Sequence, residues 1–190
     1  DAIEPDGEDA GWPRRISFLI DRDGTIARVY WPVDVHAHAA AVPADLPVRL
    51  RIAGVGQDAR FARQIEEAAR KDSRIQLMGL VEHEKVPAFL ADIDVLAVPS
   101  RYMETGPIVV QEARALGIPV MGADLGGISE RVHHGVDGWL LPFDDPGPWA
   151  DAIRVAATDR AEVARLSGNM RRTRSIDDVA SDMATLYREI

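Results

Sequence analysis

The residues best placed to do chemistry are two glutamates, Glu104 and Glu112, on either side of the turn Thr105-Gly106-Pro107. The apolar run Asp94–Val98 reads as a buried strand, and the loop Pro99-Ser100-Arg101-Tyr102-Met103 leads from it to Glu104. A helix is expected to follow. Pro107 falls where a first helical residue stands, a position that needs no N–H donor, and Thr105 or Gly106 can cap it. The free amides and positive dipole end of such a helix favour an anion, a diphosphate for example. Glu112 then lies roughly 7 Å along the axis, at about 1.5 Å per residue. Carboxylates do not suit phosphate itself. They suit vicinal hydroxyls on either side of it, through charge-assisted hydrogen bonds. Without further context the pair reads better as a helix-capping residue, Glu104, and a solvated surface carboxylate, Glu112.

Other residues compete for a role. Gly54 and Gly56 follow the apolar run Val48–Ala53 and, taken alone, read as an ordinary βα turn. Gly126-Gly127 reads as a tight turn. Asp21 and Asp23 stand two apart at a strand end, within Leu19-Ile20-Asp21-Arg22-Asp23-Gly24-Thr25. That segment resembles the nucleophile motif of haloacid-dehalogenase-like phosphatases, in which magnesium-assisted attack on phosphorus needs such a pair. The later parts of that machinery have no convincing counterpart. The same segment also resembles the last hairpin of a peroxiredoxin, with Asp-Gly in the turn, although a chain without cysteine supports no peroxidase chemistry. His36 and His38, like the adjacent His133 and His134, are too few for a metal site and read as solvated or locally bonded. Asp92-Ile93-Asp94 spans a helix end and a strand start, which gives Asp94 a structural role.

Bulk properties narrow the classes. The chain has 190 residues, 46% hydrophobic and 28% charged, which suits one soluble domain with a short appendage. Its net charge of −9 and lack of a basic stripe argue against a nucleic-acid partner. No apolar run approaches the roughly 18 residues of a membrane span. The acidic start is unlike a secretory signal, and the absence of cysteine fits a cytoplasmic protein.

The elements that must position these residues alternate. Strands are expected at Ile16–Ile20, Val48–Ala53, Ile75–Met78, Asp94–Val98, Pro119–Met121 and Trp139–Leu141. Helices are expected at Asp58–Lys71, Lys85–Ala91, Pro107–Leu116, Trp149–Ala157, Ala161–Gly168 and Ile176–Arg188, with a short turn at Ile128–Val132. Strands without polar alternation indicate burial on both faces. The fold class is therefore α/β, a Rossmann-like doubly wound, mostly parallel sheet. Ligands of such sheets lie beyond the carboxyl ends of the strands.

From about Pro47 onward the chain resembles the C-terminal, donor-binding domain of retaining GT-B glycosyltransferases, the group 1 and glycogen-synthase-like enzymes. The motifs that carry this, in order, are LRIAGVGQD, IQLMGLVEHEKVPAFLADIDVLAVPS, the two glutamates, Gly117-Ile118-Pro119-Val120, GGISERV, GVDGWLLP and IDDVASDMATLYREI. The resemblance implies that Glu104 acts at the donor sugar and is the catalytic candidate. It implies that the amides of Gly106, Pro107's neighbour Ile108 and Val109 approach the diphosphate and that Glu112 holds the ribose. Gly54 and Gly56 would pass beside the nucleotide, Val81 would read the base through its backbone, and Ser100, Tyr102, Thr105 and Pro107 would line the cleft. No metal or other cofactor is implied. The donor would be a UDP-, GDP- or ADP-linked hexose, transferred with retention to an acceptor held by a separate N-terminal domain. Peripheral membrane association of the full enzyme is a further expectation.

The first segment departs from this family pattern. Members carry an Arg and a Lys five apart after the first strand, whereas here Arg22 and Arg28 are six apart with no Lys. Arg is a poor substitute where a point charge must be placed. The expected organisation is a flexible acidic lead-in at 1–14 and a nucleotide-sugar-binding domain at 15–190. Within the latter, 15–46 is divergent and peroxiredoxin-tail-like, and 47–190 carries the resemblance. A non-catalytic nucleotide-binding module is the alternative, with the phosphatase a weaker one.

Overall fold

The computed structural model describes residues 17–21, 25–29, 46–54, 59–100, 103–171 and 173–188. Among them, seven strands form one sheet: β1 (Ser17–Asp21), β2 (Thr25–Val29), β3 (Arg49–Ala53), β4 (Ile75–Gly79), β5 (Val95–Val98), β6 (Val120–Ala123) and β7 (Gly138–Leu141), in the order β4-β3-β2-β1-β5-β6-β7. β2, β3 and β4 pair in parallel, as do β5, β6 and β7. β1 runs antiparallel to both of its neighbours and joins the two halves.

Among the described residues, six α-helices accompany the sheet: α1 (Ala59–Lys71), α2 (Val86–Ala91), α3 (Ile108–Ala115), α4 (Pro146–Thr158), α5 (Arg160–Gly168) and α6 (Ile176–Leu186). Successive side chains of a strand point to opposite faces, and β5 shows the consequence. Val95 and Ala97 belong to a core with Met121, Trp149 and Leu166, while Leu96 and Val98 pack with Leu90, Val110 and Ile128 on the other face. All four β5 residues and all four β6 residues are buried, which is why their sequence is uniformly apolar. Local signals set the later helix ends. Asp145 Oδ1 accepts from Gly147 N at 2.9 Å before α4, Asp159 caps α5, and Ser175 with Asp178 forms a capping box at α6.

The expected α/β doubly wound sheet is present, and each expected strand and helix appears within a few residues of its place. The turn expected at Ile128–Val132 begins earlier, as a single 3₁₀ turn at Gly126–Ile128. The first segment is a pair of antiparallel strands, the arrangement a strand–turn–strand reading requires. Its turn, including Arg22 and Asp23, lies outside the described residues, as do the lead-in, His36 and His38. Ile20 pairs with Val95, so Asp21 lies at the amino-end edge of β5, across the sheet from Ser100. A phosphatase nucleophile needs the carboxyl-end edge of the parallel strands, and the Asp21–Asp23 reading fails on that placement.

Asp92 and Asp94 diverge. Asp92 pairs with Arg51 at 2.7 Å, while the nearly buried Asp94 pairs with Arg160 at 2.7 Å and ties the start of β5 to α5. Asp94 is structural, as expected. α6 has no buried residue, and Ile176, Val179, Met183 and Leu186 are exposed along it.

Candidate functional site

β3 is parallel to β2, and both β2 and β5 are antiparallel to β1, so Gly54, Ser100 and Asp124 follow their strands at one edge. Ser100, just beyond β5, is 1% exposed. Its Oγ donates to Glu104 Oε1 at 2.8 Å, which ties one oxygen of that carboxylate to the end of a fully buried strand. The other end of the residue is held too. Glu104's carbonyl accepts from Gly127 N at 2.6 Å, across from the turn that follows β6.

Gly126 and Gly127 are therefore more than a tight turn. A Cβ on Gly127 would lie 2.5 Å from Thr105 C and 2.6 Å from Gly106 N. One on Gly126 would lie 2.9 Å from Glu104 O. The two glycines let one backbone lie flat against another and hold the 103–106 loop in place. Gly106 itself, at φ 137°, adopts a conformation other residues rarely reach. Arg131 covers it: the guanidinium stands where a side chain on Gly106 would go, and Nη1 donates to Gly127 O at 2.9 Å.

Two details of the helix start differ from expectation. Pro107 is the N-cap of α3, not its first helical residue, and neither Thr105 nor Gly106 caps it. The reason is conformational: Pro107 has φ −59° and ψ 128°, an extended ψ that places it just outside the helix. No side chain caps this end, so the first amides of α3 keep their hydrogen-bonding capacity. Ile108 is exposed above them, and Val109 is buried against the sheet.

Glu112 is half-buried in the second turn of α3, and among the described residues no side chain bonds its carboxylate. Gly54, at φ 127°, donates its amide to Gly79 O at 2.6 Å. Val81 lines a groove of about 700 Å³ with Met78, Leu80 and Phe89, and that groove does not reach Glu104 or Glu112. Gly56 and Tyr102 lie outside the described residues. The structure thus brings Ser100, Glu104, Thr105, Gly106, Pro107, Ile108 and Val109 together as one loop and helix start. Gly54 shares their edge, and Val81 stands apart in its own groove.

Two features escaped the sequence reading. Arg131 was hidden because its partners, Gly106 and Gly127, are glycines that offer a side chain nothing in sequence terms; only the Gly127–Arg131 i,i+4 spacing hinted at it. The second is a polar knot behind α3. Asp137, 3% exposed, pairs with Arg114 at 2.8 Å and accepts from His133 N at 2.8 Å and faces its Nδ1 at 3.1 Å. Burial alone would push this carboxyl up, but the His133 amide, the Arg114 guanidinium and the His133 ring together hold it below the usual range. His134 is likewise locally bonded, its Nδ1 accepting from Leu140 N at 3.1 Å.

Comparison with known proteins is consistent with this geometry. The family described as Glycosyl transferases group 1 matches residues 24–159. A putative colanic acid biosynthesis glycosyltransferase, WcaL of Salmonella typhimurium, is 35% identical over 139 residues, covering 70% of this chain and 33% of that protein. The D-inositol 3-phosphate glycosyltransferase of Corynebacterium efficiens is 29% identical over 164 residues, covering 82% of the chain and 38% of the relative. The chain thus spans roughly a third of the length of the curated relatives it matches. Among solved structures, Anabaena Alr3699/HepE in complex with UDP-glucose superposes with a TM-score of 0.67 at 22% identity, over 82% of this chain and 45% of that one. Sucrose-phosphate synthase from Thermosynechococcus elongatus gives 0.62 at 25% identity, over 84% and 49%.

Proposed function

The chain belongs to the group 1 glycosyl transferases, and we propose that it is the donor-binding part of a retaining enzyme that transfers a hexose from a nucleotide diphosphate sugar. The observation that carries this reading is the Glu104 loop, clamped by Ser100 and Gly127 beside an uncapped helix start. A diphosphate fits the amides of Gly106, Ile108 and Val109, where the helix dipole favours negative charge. Glu104 then addresses the sugar hydroxyls and Glu112 the ribose. Stabilising the departing diphosphate with fixed amides is the kind of preorganised electrostatics that dominates many enzymes. Gly54 and Gly56 would border the nucleotide, Tyr102, Thr105 and Pro107 the cleft, and Val81 the base. The complex of Alr3699/HepE with UDP-glucose makes UDP the first nucleotide to try.

Transfer needs an acceptor site, which we assign to a separate N-terminal domain. The exposed apolar side chains of α6 are consistent with a further domain resting there. We place the full enzyme in the cytoplasm, peripherally associated with membrane and engaged in envelope or polysaccharide synthesis, as the name of the colanic acid relative suggests. A non-catalytic nucleotide-binding module is the second reading. It is favoured by Arg28 lying within β2 rather than in a loop at the ligand edge.

Calorimetric titration with UDP, GDP and ADP, with and without magnesium, separates these ideas. Metal-independent binding of one nucleotide is expected. Glu112→Gln should weaken it roughly 20-fold, the loss of a charge-assisted contact to hydroxyls. Its unfolding midpoint should stay put, since no described side chain bonds the Glu112 carboxylate. Unchanged affinity would reduce Glu112 to a surface residue. Turnover in the presence of a separately supplied acceptor domain would favour the enzyme over the binding module.

A further inference from the structure

We propose that Arg131 is a positioning residue for the donor loop, an inference that rests on the donor-site reading above. Its guanidinium fills the space that the missing side chain of Gly106 leaves open: a Cβ there would lie 2.4 Å from Arg131 Cζ and 2.6 Å from both Nη atoms. The same group donates to Gly127 O at 2.9 Å, and Gly127 N donates to Glu104 O at 2.6 Å. One side chain therefore braces both backbones of the clamp from behind. Without it, Gly106 loses the three atoms nearest its missing side chain and regains conformational freedom. The contact to Glu130, at 3.6 Å between an exposed carboxylate and the guanidinium, is too long to be the reason for Arg131's placement.

Cζ and both Nη atoms lie almost equally near the Gly106 position, a flat packing contact that Arg can make and Lys cannot. A lysine keeps the positive charge near the anion site but lies neither flat on Gly106 nor in fixed register with Gly127 O. If Arg131 acted only by charge, Lys would replace it. If it acts as a brace, Lys would not.

The test is residue-resolved amide exchange of the full chain for wild type, Arg131→Gln and Arg131→Lys, followed by UDP titration of each. Local opening is read amide by amide, separately from global unfolding. Both variants are expected to speed exchange at Gly127, whose amide donates to Glu104 O, at least tenfold, on the order of the loss of one fixed contact. Leu96 and Val120, in β5 and β6, should be unaffected. UDP affinity should fall about tenfold in Arg131→Gln and recover only partly in Arg131→Lys. Unchanged exchange at Gly127 overturns the proposal. Equal acceleration across the sheet overturns it as well, because Arg131 would then only add general stability. Full recovery by Lys overturns the brace in favour of charge. If wild type binds no UDP, the donor reading fails, and the exchange pattern alone decides the role of Arg131.

Discussion

Gly127→Ala should weaken nucleotide-diphosphate binding on the order of 100-fold while leaving most of the domain folded. The added methyl would meet Thr105 C at 2.5 Å, Gly106 N at 2.6 Å and Thr105 O at 2.6 Å. These are backbone atoms, so no rotamer change relieves the clash, and the 103–106 loop must move away. Overpacking of this kind costs about 1–3 kcal/mol. Moving the loop also breaks the Gly127 N–Glu104 O hydrogen bond and swings the Glu104 carboxylate from its bond with Ser100. A displacement near 1 Å at a positioned group is worth roughly 100-fold. Gly135→Ala is the matched control. Gly135 has φ 70°, but a Cβ there meets nothing within 4 Å. It should lose about 1 kcal/mol of stability and bind nucleotide normally. Titration with UDP alongside urea denaturation reads both effects. Equal binding by the two alanine variants would mean that the clamp does not shape the site.

The contrast between what could and could not be read from residue order lies in the range of the interactions. β5 and β6 were legible because a strand buried on both faces must be apolar throughout, and Val95–Val98 and Val120–Ala123 are. The start of α6 was legible because its cap is local, with Ser175 and Asp178 three apart. Glu104 stood out because of the turn and helix around it. Its clamp did not, since Ser100 is close in sequence but Gly127 comes from the next strand's loop. The insertion of β1 between β2 and β5 was invisible for the same reason. Asp-Gly between two apolar runs signals a hairpin, and nothing in those residues says which strand takes the hairpin's other edge. Pro107 was misplaced by one residue because a proline's fixed φ suits both N1 and the N-cap; only its ψ of 128° distinguishes them.

The second large effect concerns stability. Asp137→Asn should cost about 3 kcal/mol, because it leaves the guanidinium of Arg114, 11% exposed, without its anion. Asn keeps the shape and can still accept from the His133 amide, so the loss reports the charge and not the packing. For a chain of this size that corresponds to a midpoint roughly 10 °C lower. The pH dependence provides an independent check. In the folded protein this carboxyl titrates below the ordinary aspartate value, so its contribution is complete above that value. As pH falls through the lower, folded value, protonation of Asp137 removes the ion pair in the wild type too. The stability gap between wild type and variant should therefore be constant from about pH 7 to about pH 5 and narrow below about pH 4. Urea denaturation at several pH values measures it. A gap under about 1 kcal/mol at neutral pH, or one that persists undiminished into strong acid, would show that Asp137 is held by packing and that Arg114 finds its compensation elsewhere. Since α3 carries Arg114 at one end and the proposed anion site at the other, the same variant also asks whether the helix must be anchored to bind. Loss of UDP affinity at temperatures well below the variant's midpoint would mean that it must.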